Sequence, residues 1–205
     1  MANQVLRKVQ LFPTYAHFIL NMVMDIKQAR LLVEQAETWA PITMDKLSYP
    51  LNALDPVMSE SCVKVHYQIL TKKYFDKYKA TGDLFQKAGA LLHNDVYWPL
   101  MQPYHKQNPC PKSLEEQISD QHGSIKKFKD LVLEQAMGIQ GNGWVFIMQD
   151  LQIQTVQNHV YKPGIACAID MWEHATVDHD FNRESFLKGF WNIVNWQKLE
   201  QKLSS

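Results

Sequence analysis

The sequence predicts an α+β protein in which a helical hairpin precedes a lobe with a small antiparallel sheet. Three observations carry this. Apolar residues recur at steps of three and four as far as about Met137. Beyond Gly141 and Gly143 the period falls to two, over Trp144 to Met148, Gln152 to Val156 and Ile165 to Trp172. A chain of 205 residues with 46% hydrophobic and 11% aromatic content can also bury a sizeable core, so intrinsic disorder is excluded.

The elements follow in order. Phe18, Met22, Ile26 and Val33 lie on one stripe of a helix expected from about Tyr15 to Trp39 and stopped by Pro41. That stripe either packs on the rest of the chain or docks on a partner. Asp55 and Pro56 suit the start of a second helix running to about Lys79, on which His66, Leu70 and Tyr74 share a face. Gly82 and Asp83 turn into a third helix, Leu84 to Trp98, closed by Pro99. A linker is expected over Gln102 to Pro111. Ser113 with Glu116 reads as a capping box, Ser124 opens a helix ending near Met137, and after the strands a last helix spans about Arg183 to Trp196. The expected division is a helical extension over 1–47, a helical hairpin lobe over 48–110 and an α+β lobe over 111–205.

Charge narrows the function. Lys and Arg number 21 against 21 Asp and Glu, and a surface that neutralises phosphate needs an excess of cations, so direct nucleic-acid binding is not expected. No run approaches the roughly 18 consecutive apolar residues of a membrane span. Cys62, Cys110 and Cys167 are too far apart for a C-x-x-C pair, and their odd number points to a reducing compartment. The opening residues carry Arg7 and Lys8 with no acid before Asp25, which suggests mitochondrial targeting.

Asp170 and His174 stand four residues apart where a strand turns, with Trp172 between them. A carboxylate and an imidazole so placed could converge on one cation beside a dry wall, or form a surface ion pair. The segment Asp170-Met171-Trp172-Glu173-His174-Ala175 resembles the D-x-W-E-H-A signature of the iron/manganese superoxide dismutase family. Tyr49 to Pro56, Val96-Tyr97-Trp98, Gly123-Ser124 with Phe128-Lys129, Gly141 to Trp144, and Phe190-Trp191 with Val194-Asn195-Trp196 resemble that family's other motifs in order and spacing.

The resemblance implies that family's fold and one iron or manganese held by three His and one Asp. Its ligand positions fall on His66, Asp170 and His174, and on the residue four before Trp98, which is Asn94. His93 is its neighbour, and one residue along an α-helix rotates a side chain by roughly 100°. Asn94 is therefore expected to face inward in place of the fourth ligand, with no metal bound. The alternative is an active enzyme in which a π-bulge brings His93 in as a ligand to iron or manganese.

Other family positions are also altered. The cross-subunit His and Tyr pair falls on Leu70 and Val177, and the solvent-binding Gln falls on Ala90 in the iron type or on Asn158, beside Gln157, in the manganese type. Tyr74 is retained as a vestigial gateway, and Glu173 as the residue that reaches a partner subunit. His17, His105, His122, His159 and His179 are expected at the surface or as caps. The resulting expectation is a dismutase-like structural subunit of a larger mitochondrial complex, a respiratory-chain assembly ahead of a ribosome. A second dismutase-like chain is a possible dimer partner, and Phe18, Met22, Ile26 and Val33 form the docking stripe.

Overall fold

A computed structural model describes residues 41–204. The expected helix Tyr15 to Trp39, with Phe18, Met22, Ile26 and Val33, lies outside the described residues. From Glu60 onward the architecture is the expected one: helices first, then a three-stranded antiparallel sheet flanked by helices.

Helix α1, Glu60–Val63, starts later than Asp55 and Pro56 suggest, because residues 51–58 fold into turns and the capping hydroxyl belongs to Ser59. Ser59 Oγ accepts the Cys62 N–H at 3.2 Å. The same serine donates its backbone N–H and its hydroxyl to the two carboxylate oxygens of Asp178, at 2.6 and 3.1 Å. The helix continues as a π-helical segment, Lys64–Thr71, and then as α2, Lys72–Thr81. Gly82 ends it at φ 68°, a left-handed position that suits glycine.

Asp83 caps α3, Leu84–Leu91, by accepting the Phe85 N–H at 2.8 Å. A second π-helical segment, Leu92–Tyr97, and a 3-10 turn, Trp98–Leu100, complete what periodicity presents as one α-helix. Helices α2 and α3 pack together across the Gly82–Asp83 turn.

Helix α4, Lys112–His122, begins behind Pro111, which puts Ser113 inside the first turn. Its hydroxyl therefore bonds Glu200 and the expected capping box does not form. Ser124 does cap α5, Ile125–Gly138, accepting the Lys127 N–H at 3.1 Å.

Strand β1, Gly143–Met148, is central, between β2, Ile153–Gln157, and β3, Ile165–Asp170. Every residue of β1 and β3 is buried, whereas β2 is partly exposed, as an edge strand permits. Strand β3 packs on the second π segment, so its last residue, Asp170, arrives beside that segment and opposite Trp144. Gly143 has no alternative, since a Cβ there would sit 2.3 Å from the Val156 carbonyl oxygen.

After a short α6, Glu173–Thr176, the expected last helix is two: α7, Arg183–Phe190, and α8, Trp196–Leu203. The break has a cause. Val194 bridges to Met101, Asn108 donates to the carbonyls of Trp191 and Val194, and Asn195 caps α8 by accepting the Lys198 N–H. Trp144, Tyr97, Phe128, Phe146, Phe186 and Phe190 fill the core, each worth about 1.5–3 kcal/mol of burial.

Candidate metal centre

Four side chains from four segments meet at one point. His66 comes from the first π segment, His93 from the second, Asp170 from the end of β3 and His174 from α6. One ligand atom from each lies within 4.8 Å of the others. His66 Nε2 is 2.9 Å from His93 Nε2, and Asp170 Oδ2 is 3.2 Å from His66 Nε2, 3.6 Å from His93 Nε2 and 3.2 Å from His174 Nε2.

Contrary to the expectation from helical periodicity, His93 rather than Asn94 faces inward. Trp98 keeps the buried place expected of it, donating its indole N–H to Thr71 Oγ1 at 3.0 Å. The extra residue between His93 and Trp98 is taken up by the wider turns of the π segment, which leaves both side chains pointing into the protein. Asn94 faces the other way. Its Oδ1 accepts the Asp45 N–H at 2.8 Å, and its amide donates to the carboxylates of Asp45 and Asp95 at 3.2 and 3.1 Å.

Protonation can be read from the partners. His93 Nδ1 lies 2.7 Å from the Gly89 carbonyl, which only accepts, so Nδ1 carries the proton and Nε2 presents a bare lone pair. Burial pushes the His66 imidazole down to about 3 against the opposing pull of Asp170, so it is neutral near pH 7. Burial resists the charge on Asp170, but the charge and hydrogen bond of His174, with the hydrogen bond from His66, prevail and hold its carboxyl well below the usual range. For His174 the order of effects is similar: burial lowers its pKa, and the Asp170 charge outweighs this and raises it. A bare nitrogen lone pair facing a carboxylate and a second imidazole, all desolvated, calls for a cation at their centre. Three imidazoles and one carboxylate suit a first-row transition metal. The expectation of no metal rested on Asn94 facing inward, and that ground is gone.

Aromatic rings enclose the cluster. Tyr74 stacks on His93 with centroids 5.4 Å apart, and Trp98 and Tyr97 lie against His66. Trp172 donates its backbone N–H to Asp170 Oδ1 at 2.8 Å, so one carboxylate oxygen is tied back and the other is free for the centre. Glu173 is exposed and outside the cluster, where the Asn142 amide reaches Oε1 at 3.0 Å.

Three further residues differ from what the sequence predicts. Asn158 and Gln157 do not approach the centre: Asn158 is exposed at φ 58°, and Gln157 donates to the Gln140 carbonyl at the sheet edge. His159, expected at the surface, is buried, because the left-handed turn at Asn158 swings the next side chain inward. Its Nδ1 accepts the Trp144 indole N–H at 3.1 Å, and its ring stacks on Trp172 at 4.6 Å. Burial pushes this imidazole down to about 4. With the ligand at His93, the position one turn earlier is Gly89 rather than Ala90. No local periodicity marks His159. The only sequence signal was a titratable ring next to a residue type that tolerates left-handed backbone. His122 and His179 do cap backbone carbonyls, of Leu151 and Val57, as expected.

Comparison with known proteins gives concordant results. Residues 110–202 match the family model for the C-terminal domain of iron/manganese superoxide dismutases. The chain is 30% identical over 192 residues to the superoxide dismutase [Fe] of Saccharolobus solfataricus, covering 77% of this chain and 90% of that protein. Against the mitochondrial superoxide dismutase [Mn] of Schizosaccharomyces pombe the identity is 27% over 191 residues, covering 80% and 88%. The superoxide dismutase [Fe] of Plasmodium falciparum is 28% identical over 193 residues, covering 79% and 96%. From the ordered motifs, the fold and this degree of identity, the chain belongs to the iron/manganese superoxide dismutase family.

Proposed function

We propose that this chain binds one iron or manganese ion through His66, His93, Asp170 and His174 and dismutes superoxide. The observation that supports this is the convergence of four ligand atoms with His93 among them. When bound, such an ion supplies reversible one-electron exchange, which the conversion of two superoxide ions and two protons to dioxygen and hydrogen peroxide requires. The chain does the rest. Asp170 offers a charged oxygen in a dry site, the Trp172 N–H fixes its orientation, and the Gly89 carbonyl keeps the His93 lone pair directed inward. Tyr74, half-buried, stacks on His93 and helps fix its ring. Metal analysis with a dismutation assay on the purified chain tests the reading. Near-stoichiometric iron or manganese with turnover far above the His93→Asn variant is expected. Full metal occupancy with background turnover would refute it.

A second reading concerns assembly. Leu70 and Val177 replace a polar cross-subunit pair of the family, and Val177 and Phe181 are exposed at 44% and 62%. Large apolar groups on such a surface favour a protein partner. We infer that the chain acts within a larger mitochondrial complex, a respiratory-chain assembly ahead of a ribosome, and that residues 1–40 contribute to docking. The zero net charge and the mitochondrial relative support this reading. Expression without residues 1–40 tests it: a folded domain that no longer co-purifies with the complex is expected, and retained co-purification overturns the docking role.

A further inference from the structure

The two π segments that carry His66 and His93 are both gripped by one short stretch of chain, residues 43–49, which contains no helix or strand. Asp45 is its point of contact with each. The Asp45 N–H donates to Asn94 Oδ1 at 2.8 Å, and the Asp45 carboxylate accepts the Asn94 amide at 3.2 Å. The Asp45 carbonyl accepts the Tyr67 hydroxyl at 2.6 Å. Asn94 directly follows His93 in the chain, and Tyr67 directly follows His66. Further along, Tyr49 donates its buried hydroxyl to the Trp98 carbonyl at 3.1 Å. The Trp98 indole N–H in turn reaches Thr71 Oγ1 at 3.0 Å, and that hydroxyl donates to the His66 carbonyl at 2.9 Å.

The segments need such support. π-Helical turns are rare, and these run to eight and six residues, so something outside them must hold the wider winding. A metal-binding histidine is ordinarily oriented by a hydrogen bond to its second ring nitrogen. His93 has one, to the Gly89 carbonyl. His66 does not: its Nδ1 is buried and has no hydrogen-bond partner among the described residues. Its orientation comes from the rings of Tyr97 and Trp98 and from the backbone that carries it, on which the Tyr67 and Thr71 bonds act. A cleft of about 180 Å³ separates the stretch from the helices, lined by Met44, Ser48, Thr71 and Trp98 among others. The bonds at Asp45 therefore bridge a gap rather than reinforce tight packing.

We propose that residues 43–49 form a strap that locks the two π segments to each other, with Tyr67 and Asn94 as positioning residues for His66 and His93. The strap touches no ligand atom. It limits how far one segment can slide or rewind against the other, so both imidazoles are presented to the ion already aligned, and releasing the ion requires the lock to open. The effect on the ion rests on the metal-binding reading above, whereas the coupling between the segments does not.

Amide hydrogen exchange of the metal-free protein tests the lock. Asn94→Ala is expected to speed exchange about fivefold, the worth of one net hydrogen bond, in residues 64–71 as well as in 92–97, and Tyr67→Phe to do the same in both. An effect confined to the segment that carries the substitution overturns the proposal. Asn94→Asp sets a carboxylate against Asp45 and Asp95 and is expected to behave like Asn94→Ala. Adding Asp45→Asn returns an amide–carboxylate pair and is expected to restore most of the protection; no recovery overturns the pairing. In manganese-loaded protein, Asn94→Ala and Tyr67→Phe are expected to release the ion to a chelator about fivefold faster, with metal content after reconstitution near that of the wild type. Cross-segment exchange effects with an unchanged release rate overturn the strap's role in holding the ion. A wild type that takes up no metal overturns the site reading, and the exchange results still decide whether the lock exists.

Discussion

Deleting Asn94 isolates the device that completes the metal centre. The deletion leaves His93 four residues before the tryptophan that is now Trp98, a spacing that an ordinary α-helix accommodates with both side chains facing inward. What the protein loses is the set of hydrogen bonds from Asn94 to Asp45 and Asp95. These are solvent-accessible or half-buried, so the expected destabilisation is about 1–3 kcal/mol in all. If the π segment did not absorb the extra residue, the deletion would rotate either His93 or the Tyr97–Trp98 pair by roughly 100°. Turning those fully or nearly buried rings out of the core would cost at least the 3–5 kcal/mol typical of losing a large aromatic. Urea unfolding of metal-free protein separates the two outcomes, and metal content after reconstitution checks the site. A loss above about 5 kcal/mol, or a folded variant that takes up no metal, would refute the π-turn explanation.

Three other outcomes are expected. His93→Asn lowers metal content sharply whereas Asn94→Ala does not, as elemental analysis after reconstitution will show; equal losses would mean that both side chains matter to the site. Gly89→Ala gains about 1 kcal/mol of helix propensity but presses on two rings at a cost of about 1–3 kcal/mol, so a net loss of about 1 kcal/mol is expected in the urea midpoint, and a more stable variant would show that the rings yield. The metal-free protein should lose stability as pH falls below about 6.5. His66 and His159 have folded values near 3 and 4, so the unfolded chain binds more protons throughout that window. His174, with a raised folded value, adds stability that is lost only above that window. A melting temperature flat from pH 6.5 to 4 would contradict this assignment.

Much of the molecule was legible because local chemistry specified it. Asp83 and Ser124 announce the helices they cap, the change of period after Gly143 announces the strands, and Asp170 with His174 stands in a segment dense with side chains of definite role. His93 was not legible, because periodicity presumes a constant turn. Nothing in Leu-His-Asn-Asp-Val-Tyr says that six residues will be wound more widely, and the choice is made by tertiary packing of His93 and Trp98. The start of α1 was misplaced for a different reason. Asp55-Pro56 satisfies the local rule for a helix start, but Ser59 has a hydroxyl nearer the helix and an anchor in Asp178, far away in sequence. The break between α7 and α8 depends on Asn108 and Met101, and His159 on a backbone turn at Asn158. These are distant or conformational causes that no window of residues contains.

The tie between Ser59 and Asp178 also bears on when the site comes into being during synthesis. While residues 94–169 are being added, the growing chain carries His66 and His93 but lacks the carboxylate, the third imidazole and the Asp178 anchor that holds the start of α1 against the turn after His174. Two imidazoles alone supply neither the charge nor the fixed geometry by which a site selects among divalent metals. Selection of the ion is thus deferred until nearly the whole polypeptide has emerged, and the metal that is caught is the one available where folding finishes rather than where translation begins.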